Sequence, residues 1–108
     1  MNEIERNCGM AHTMKIIGSK WTMMILYNLC TGTKRFGELQ RVLDGISPKT
    51  LAERLKQLEE DGIVNKKVYA QVPLKVEYSL TEKGVSLKKI INQLDAWGAD
   101  NATLQNTL

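Results

Sequence analysis

The stretch GISPKTLAERLKQLEEDGIVNKKVYA, Gly45 to Ala70, decides how the rest of the chain is read. Leu51, Leu55 and Leu58 recur at i, i+4 and i+7, the period of a helix with one buried face. Ser47 is a good N-cap, and Pro48 suits the first helical position because the N–H it lacks would be unpaired there anyway. Gly62 stops the helix. The outward side carries Lys49, Thr50, Glu53 and Gln57, with Arg54 on the flank. A helix that only filled a core would need no such run of small polar and basic residues.

Working outward, RFGELQRVL places Phe36, Leu39 and Leu43 on one side of a short helix, and DGI supplies the turn before Ser47. On the other side, IVNKKVYA and KVEYSL are β-prone runs around QVPL, a hairpin with a longer-than-minimal loop. Nearer the start, Met10, Met14 and Ile17 recur at helical spacing, which predicts a first short helix ending near Gly18. KWTMMILYNLC is apolar almost all round, with Trp21, Ile25 and Leu29 on one face, and reads as a buried helix closed by Gly32. Thr81 caps a last helix whose Leu87, Ile90, Ile91, Leu94 and Trp97 form a long apolar stripe. The expected fold is therefore mainly α with a small β-hairpin. It is a single domain over 1–108: a winged helix-turn-helix, with the helix-turn-helix over 36–61 and the wing over 63–80. Extra N- and C-terminal helices, within 1–18 and 82–108, are expected to dimerise.

That architecture has a defined chemistry. The second helix of a helix-turn-helix presents its N-terminal outer face to the major groove while its inner face packs on the first. Here Lys49, Thr50, Glu53 and Arg54 lie near the helix start. Arginine forms paired hydrogen bonds to guanine, glutamate accepts from cytosine, and threonine offers a hydroxyl and a methyl. Ser47 and the amides beside Pro48 suit a phosphate oxygen. Lys66, Lys67 and Lys75 on the hairpin are expected over the backbone, as are Lys34 and Arg35 before the third helix. Two plainer readings stand beside this one. Charge on a helix is commonly just a solvated face, and a winged-helix module can serve protein–protein contact without reading a groove. The latter should show an apolar outer face on that helix, and this sequence does not.

Charge placement favours nucleic acid. Between Lys34 and Lys75 nine bases face six acids, whereas the flanks hold six of each, so the whole net charge of +3 lies in the middle of the chain. At 108 residues, 43% apolar and 25% charged, the chain has an ordinary globular composition and buries about two-thirds of its unfolded surface. No window reaches the roughly 18 uncharged apolar residues of a membrane span, and the acidic start MNEIERNCGM is unlike a signal peptide. Two cysteines, Cys8 and Cys30, make no disulfide scaffold and point to a reducing cytoplasm.

His12 and two distant cysteines lack metal-ligand spacing, and His12 reads as a surface or interface residue. Cys30 reads as buried and inert. Met10, Met14, Met23 and Met24 are read as adaptable core filler, with an effector pocket as the alternative. No nucleophile–base arrangement or phosphate-cradling glycine loop appears. Neither an enzyme nor a cofactor is expected. A stripe as long as that of the last helix exceeds what a small core absorbs, so Met10, Met14, Ile17, Ile90, Leu94 and Trp97 are the expected homodimer contacts.

Taken in order, Gly18-Ser19-Lys20-Trp21, Arg35-Phe36, Gly45-Ile46-Ser47, Leu58-Glu59 and Val76-Glu77-Tyr78 resemble the HxlR family of bacterial winged-helix regulators, from about Cys8 to Trp97. The resemblance implies a homodimeric factor binding double-stranded DNA, in many members a redox or electrophile sensor. It makes Cys8 the candidate sensing thiol, although Gly9 stands where the family usually has proline. The start of a helix and nearby Arg6 favour a thiolate, and Glu3 and Glu5 oppose it. A thiol that simply packs at the dimer edge is the alternative. Operator, target genes, effector and the sense of regulation are not written in these residues.

Overall fold

A computed structural model describes residues 8–102. Residues 1–7 and 103–108 lie outside the described residues, and with them Glu3, Glu5, Arg6 and the outer ends of both expected dimerisation regions. Among the described residues the elements follow in the order α1 (Gly9–Ile17), α2 (Lys20–Leu29), β1 (Lys34–Arg35), α3 (Phe36–Val42), α4 (Pro48–Glu60), β2 (Val64–Tyr69), β3 (Lys75–Leu80), α5 (Glu82–Val85) and α6 (Lys88–Asn101).

Helix α2 is the central pillar. Ser19 caps it by accepting from the Thr22 N–H at 3.1 Å, and its Ile25, Leu26 and Leu29 are buried. Around it gather Leu39 and Leu43 from α3 and the turn, Ile46, the three leucines of α4, then Ile63, Val64, Tyr78 and Ile91. A core drawn from five helices and the two long strands forms one cluster, as expected of a single cooperative unit.

The helix-turn-helix is formed by α3 and α4. Gly45 turns the chain between them at φ 89°, and Gly62 ends α4 at φ 75°, both in the left-handed region that side chains resist. Ser47 accepts the Thr50 N–H at 3.1 Å, with Pro48 opening the helix. Leu51, Leu55 and Leu58 are all within 1% of complete burial. At about 1.5–3 kcal/mol for each fully buried leucine side chain, this row is what fixes the orientation of α4.

The sheet departs from the expected lone hairpin. It has three antiparallel strands in the order β1-β3-β2. Lys34 and Arg35, expected as a lead-in to α3, pair with Tyr78 and Glu77 of β3. Strands β2 and β3 pair from Val64↔Leu80 to Tyr69↔Lys75. The expected last helix is also two helices. Thr81 caps only α5, accepting the Gly84 N–H at 3.0 Å, and α6 begins after Ser86 and Leu87. Gly84 lies so close to the Ile63 carbonyl and the Leu80 side chain that an added Cβ would strike both. That contact holds α5 against the end of β2, while α6 turns away to pack Ile91 on α2. Together these elements make a winged helix-turn-helix with flanking helices at both ends.

Candidate nucleic-acid interface

The first half of α4 offers its outer side to solvent. Ser47, Pro48, Lys49, Glu53 and Arg54 are exposed and Thr50 is half-buried. The Ser47 hydroxyl also donates to the Thr50 hydroxyl at 3.0 Å, so both side chains are tied into the cap before any ligand arrives. Lys49, Glu53 and Lys56 follow one another about a turn apart on this outer side. Lys56, exposed like the others, was absent from the expected contacts.

The wing lysines do not form a single row. Successive strand residues face opposite sides of a sheet, and the register puts Lys66 opposite the buried Tyr78 but Lys67 opposite Glu77. Lys66 therefore shares the helix-facing side with Val64, Val76 and Tyr78. Lys67 is on the outward side with Tyr69, Lys75, Glu77 and, through β1, Arg35.

That outward side is a connected cluster. The Lys75 and Lys67 ammonium groups stand over the Tyr69 ring at 4.5 and 5.0 Å, a cation–π geometry. Lys75 also pairs with Glu77 at 3.4 Å. The Glu77 carboxyl is held below its ordinary range, first by a hydrogen bond from Tyr69, which outweighs the opposing desolvation, and further by the Lys75 and Arg35 charges. Sequence reasoning found the cations and missed Tyr69 and Glu77. Alternation along β2 and β3 was the available signal, but the pairing register was needed to use it.

Lys34 is half-buried, with its ammonium donating to the Thr31 hydroxyl at 3.1 Å. Arg35 is exposed and joins Arg41 and Lys75 around a cleft of about 270 Å³, walled by Phe36, Leu74 and Val76. Arg41 is exposed and lies outside the contacts expected from sequence. Glu38 is also at this cleft, and its carboxylate accepts the Arg35 N–H at 2.9 Å.

Of the expected dimer contacts, Met10, Met14, Ile90, Leu94 and Trp97 are exposed, Trp97 at 68%. Ile17 is the exception. At 8% exposure it is buried in the core, because α1 turns its last residue inward against the body, and little of it is left for a partner. Met23 and Met24 border a cleft of about 230 Å³ with Tyr27, Ile91, Leu94 and Asp95.

Cys8 is exposed at the N-cap of α1. Cys30 is buried, and burial pushes its thiol pKa up, with the nearby Lys88 charge offsetting part of the rise. Among the described residues no group of acids, histidines and cysteines could hold a metal ion. No described helix is long and apolar enough to cross a membrane.

Comparison with known proteins agrees with this fold. The family model described as HxlR-like helix-turn-helix matches residues 16–106. The uncharacterized HTH-type transcriptional regulator YkvN of Bacillus subtilis is 48% identical over 92 residues, covering 85% of this chain and 78% of that protein. The redox regulator HypR in its oxidized form superposes with a TM-score of 0.85 at 43% identity, over 90% of this chain and all of that one. Diamide-treated YodB from B. subtilis superposes with a TM-score of 0.70 at 37% identity, over 89% of this chain and 96% of that one.

Proposed function

This chain belongs to the HxlR-like helix-turn-helix family of transcriptional regulators, and on that premise we propose that it acts as a cytoplasmic homodimer on a pseudo-palindromic operator. The observation that carries the reading is the division of α4 into two sides. Leu51, Leu55 and Leu58 are buried, while Lys49, Glu53 and Arg54 are exposed beside a capped helix start. One side fixes the helix to the body and the other offers a donor–acceptor pattern to base edges. A module for protein contact would need an apolar outer side there.

Two copies are needed because one α4 reads only a half-site. The exposed apolar residues of α1 and α6, Met10, Met14, Ile90, Leu94 and Trp97, supply the surface that obligate dimers bury. Arg35, Arg41, Lys66, Lys67 and Lys75 supply phosphate contacts. The test is fluorescence anisotropy on duplexes tiled across the intergenic region beside the gene. One inverted repeat should bind far more tightly than random DNA, with half-site centres about 34 Å apart or a multiple of it. Equal affinity for every tile would overturn the reading.

A second element of the proposal is thiol sensing by Cys8. It is supported by the exposure of that thiol at the N-cap of α1, a helix assigned here to the dimer, and by the likeness to a redox regulator. Diamide should change operator affinity of the wild type, and Cys8→Ser should abolish the response with folding intact. DNA binding indifferent to oxidant through a full titration would leave Cys8 as a packing residue.

A further inference from the structure

A cavity of about 580 Å³ opens between the end of α2, strand β3 and the first turns of α6. Its walls come from four segments: Leu29 to Thr33, Ser79 and Leu80, Val85, and Lys88 with Asn92. The apolar part is Leu29, Leu80 and Val85, the last more than half exposed. The polar part is one ammonium, one amide and the hydroxyls of Thr31, Thr33 and Ser79. No carboxylate lines the cavity, and none of the described residues pairs with Lys88.

We propose that this cavity binds a small organic monoanion, a carboxylate on a compact apolar body. Among the lining residues Lys88 is the one cation, with the Lys34 ammonium close by on the Thr31 hydroxyl. This positive, carboxylate-free setting suits a small anion, and the apolar wall rewards a hydrocarbon body that inorganic anions lack. A lysine ammonium is a point charge on a flexible stem, which suits a carboxylate arriving from an open side. Lys88 is exposed on α6 and lines the cavity together with Cys30.

The cavity also stays open in the proposed dimer. Lys88 and Asn92 are one turn apart on α6. At about 100° per residue, Ile90, Leu94 and Trp97 lie roughly half a turn round the helix from them. A partner on the apolar stripe leaves the cavity side free. The occupant would touch α6 and β3 together, the elements assigned to dimerisation and to the wing.

The test uses the full-length protein without DNA and benzoate as the probe, followed by calorimetry and by amide chemical shifts. Benzoate should bind saturably and shift Thr33, Ser79 and Asn92. Benzamide, which keeps the shape without the charge, and inorganic phosphate, which keeps charge without the body, should each bind at least about tenfold more weakly. Lys88→Met should weaken benzoate by at least about tenfold, and Lys89→Met, which removes the same charge one residue away, should leave it unchanged. Absence of saturable binding, equal binding of benzamide, or equal effects of the two lysine variants would overturn the proposal. None of these outcomes depends on DNA binding, so the operator reading stands or falls separately.

Discussion

Lys66 and Lys67 adjoin in sequence yet face opposite sides of the wing, one opposite the buried Tyr78 and the other opposite Glu77. Lys67 shares the Tyr69 ring with Lys75 and stands in a cluster that contains an acid. Lys66 has no such company. The two should therefore differ on DNA. Lys67→Ala, on the outward side, should weaken cognate and random duplex alike and lower the salt slope by about one, and Lys66→Ala should do both to a smaller extent. Anisotropy titrations across salt concentrations check this, and equal slope losses for both would mean the wing contacts phosphates on both sides.

Arg54→Ala should behave differently. With its side chain on the flank of α4, it should lose discrimination at particular base pairs, at about 1–3 kcal/mol, with little change in affinity for random DNA. Competition against single-substituted operators measures this. A uniform loss across all sequences would place Arg54 on phosphate instead.

Trp97→Asp should give a folded monomer. The indole is 68% exposed in the single chain, so the substitution removes dimer contact without opening the core. Light scattering should show half the mass, with the circular dichroism spectrum retained. An intact dimer would move the interface away from α6.

Gly84→Ala should destabilise the fold by about 1–3 kcal/mol, the usual cost of forcing atoms into a packed site. The new methyl has to displace the Ile63 carbonyl or the Leu80 side chain. Urea denaturation reads the loss, and unchanged stability would mean that α5 shifts freely from the end of β2.

Thiol labelling should separate the two cysteines. Under native conditions Cys8 should react promptly with a maleimide and Cys30 slowly, since Cys30 is 6% exposed and its burial raises the thiol pKa. The Cys8→Ser variant should then label only after denaturation. Prompt native labelling of that variant would show that the end of α2 opens readily.

Much of the fold was legible because its signals are local. The Ser47 cap, Pro48, the leucine row and Gly62 all sit inside one segment, and they define α4 unaided. Strand β1 was not legible. Two basic residues carry no periodicity, and only their pairing with Tyr78 and Glu77 makes them a strand. The break between α5 and α6 was hidden for a similar reason. Thr81 and the apolar stripe both belong to helices, and nothing between them marks where one stops. Ile17 looked like its neighbours Met10 and Met14, since spacing gives a face but not what covers it. The basic residues of the candidate site could be named from sequence, whereas their grouping about Tyr69 and Glu77 required the register.

The short pairing of Lys34 and Arg35 with β3 carries a mechanical consequence. The segment that leads into α3 and the strand that carries the wing are hydrogen-bonded into one plate, and α4 is bolted to that plate through its leucines. Tilting the wing would drag the helix with it. A duplex gripped by both would meet a rigid template, so any mismatch in groove width falls on the DNA. Operators should then be ranked partly by how cheaply they bend or narrow, at base pairs that no side chain touches.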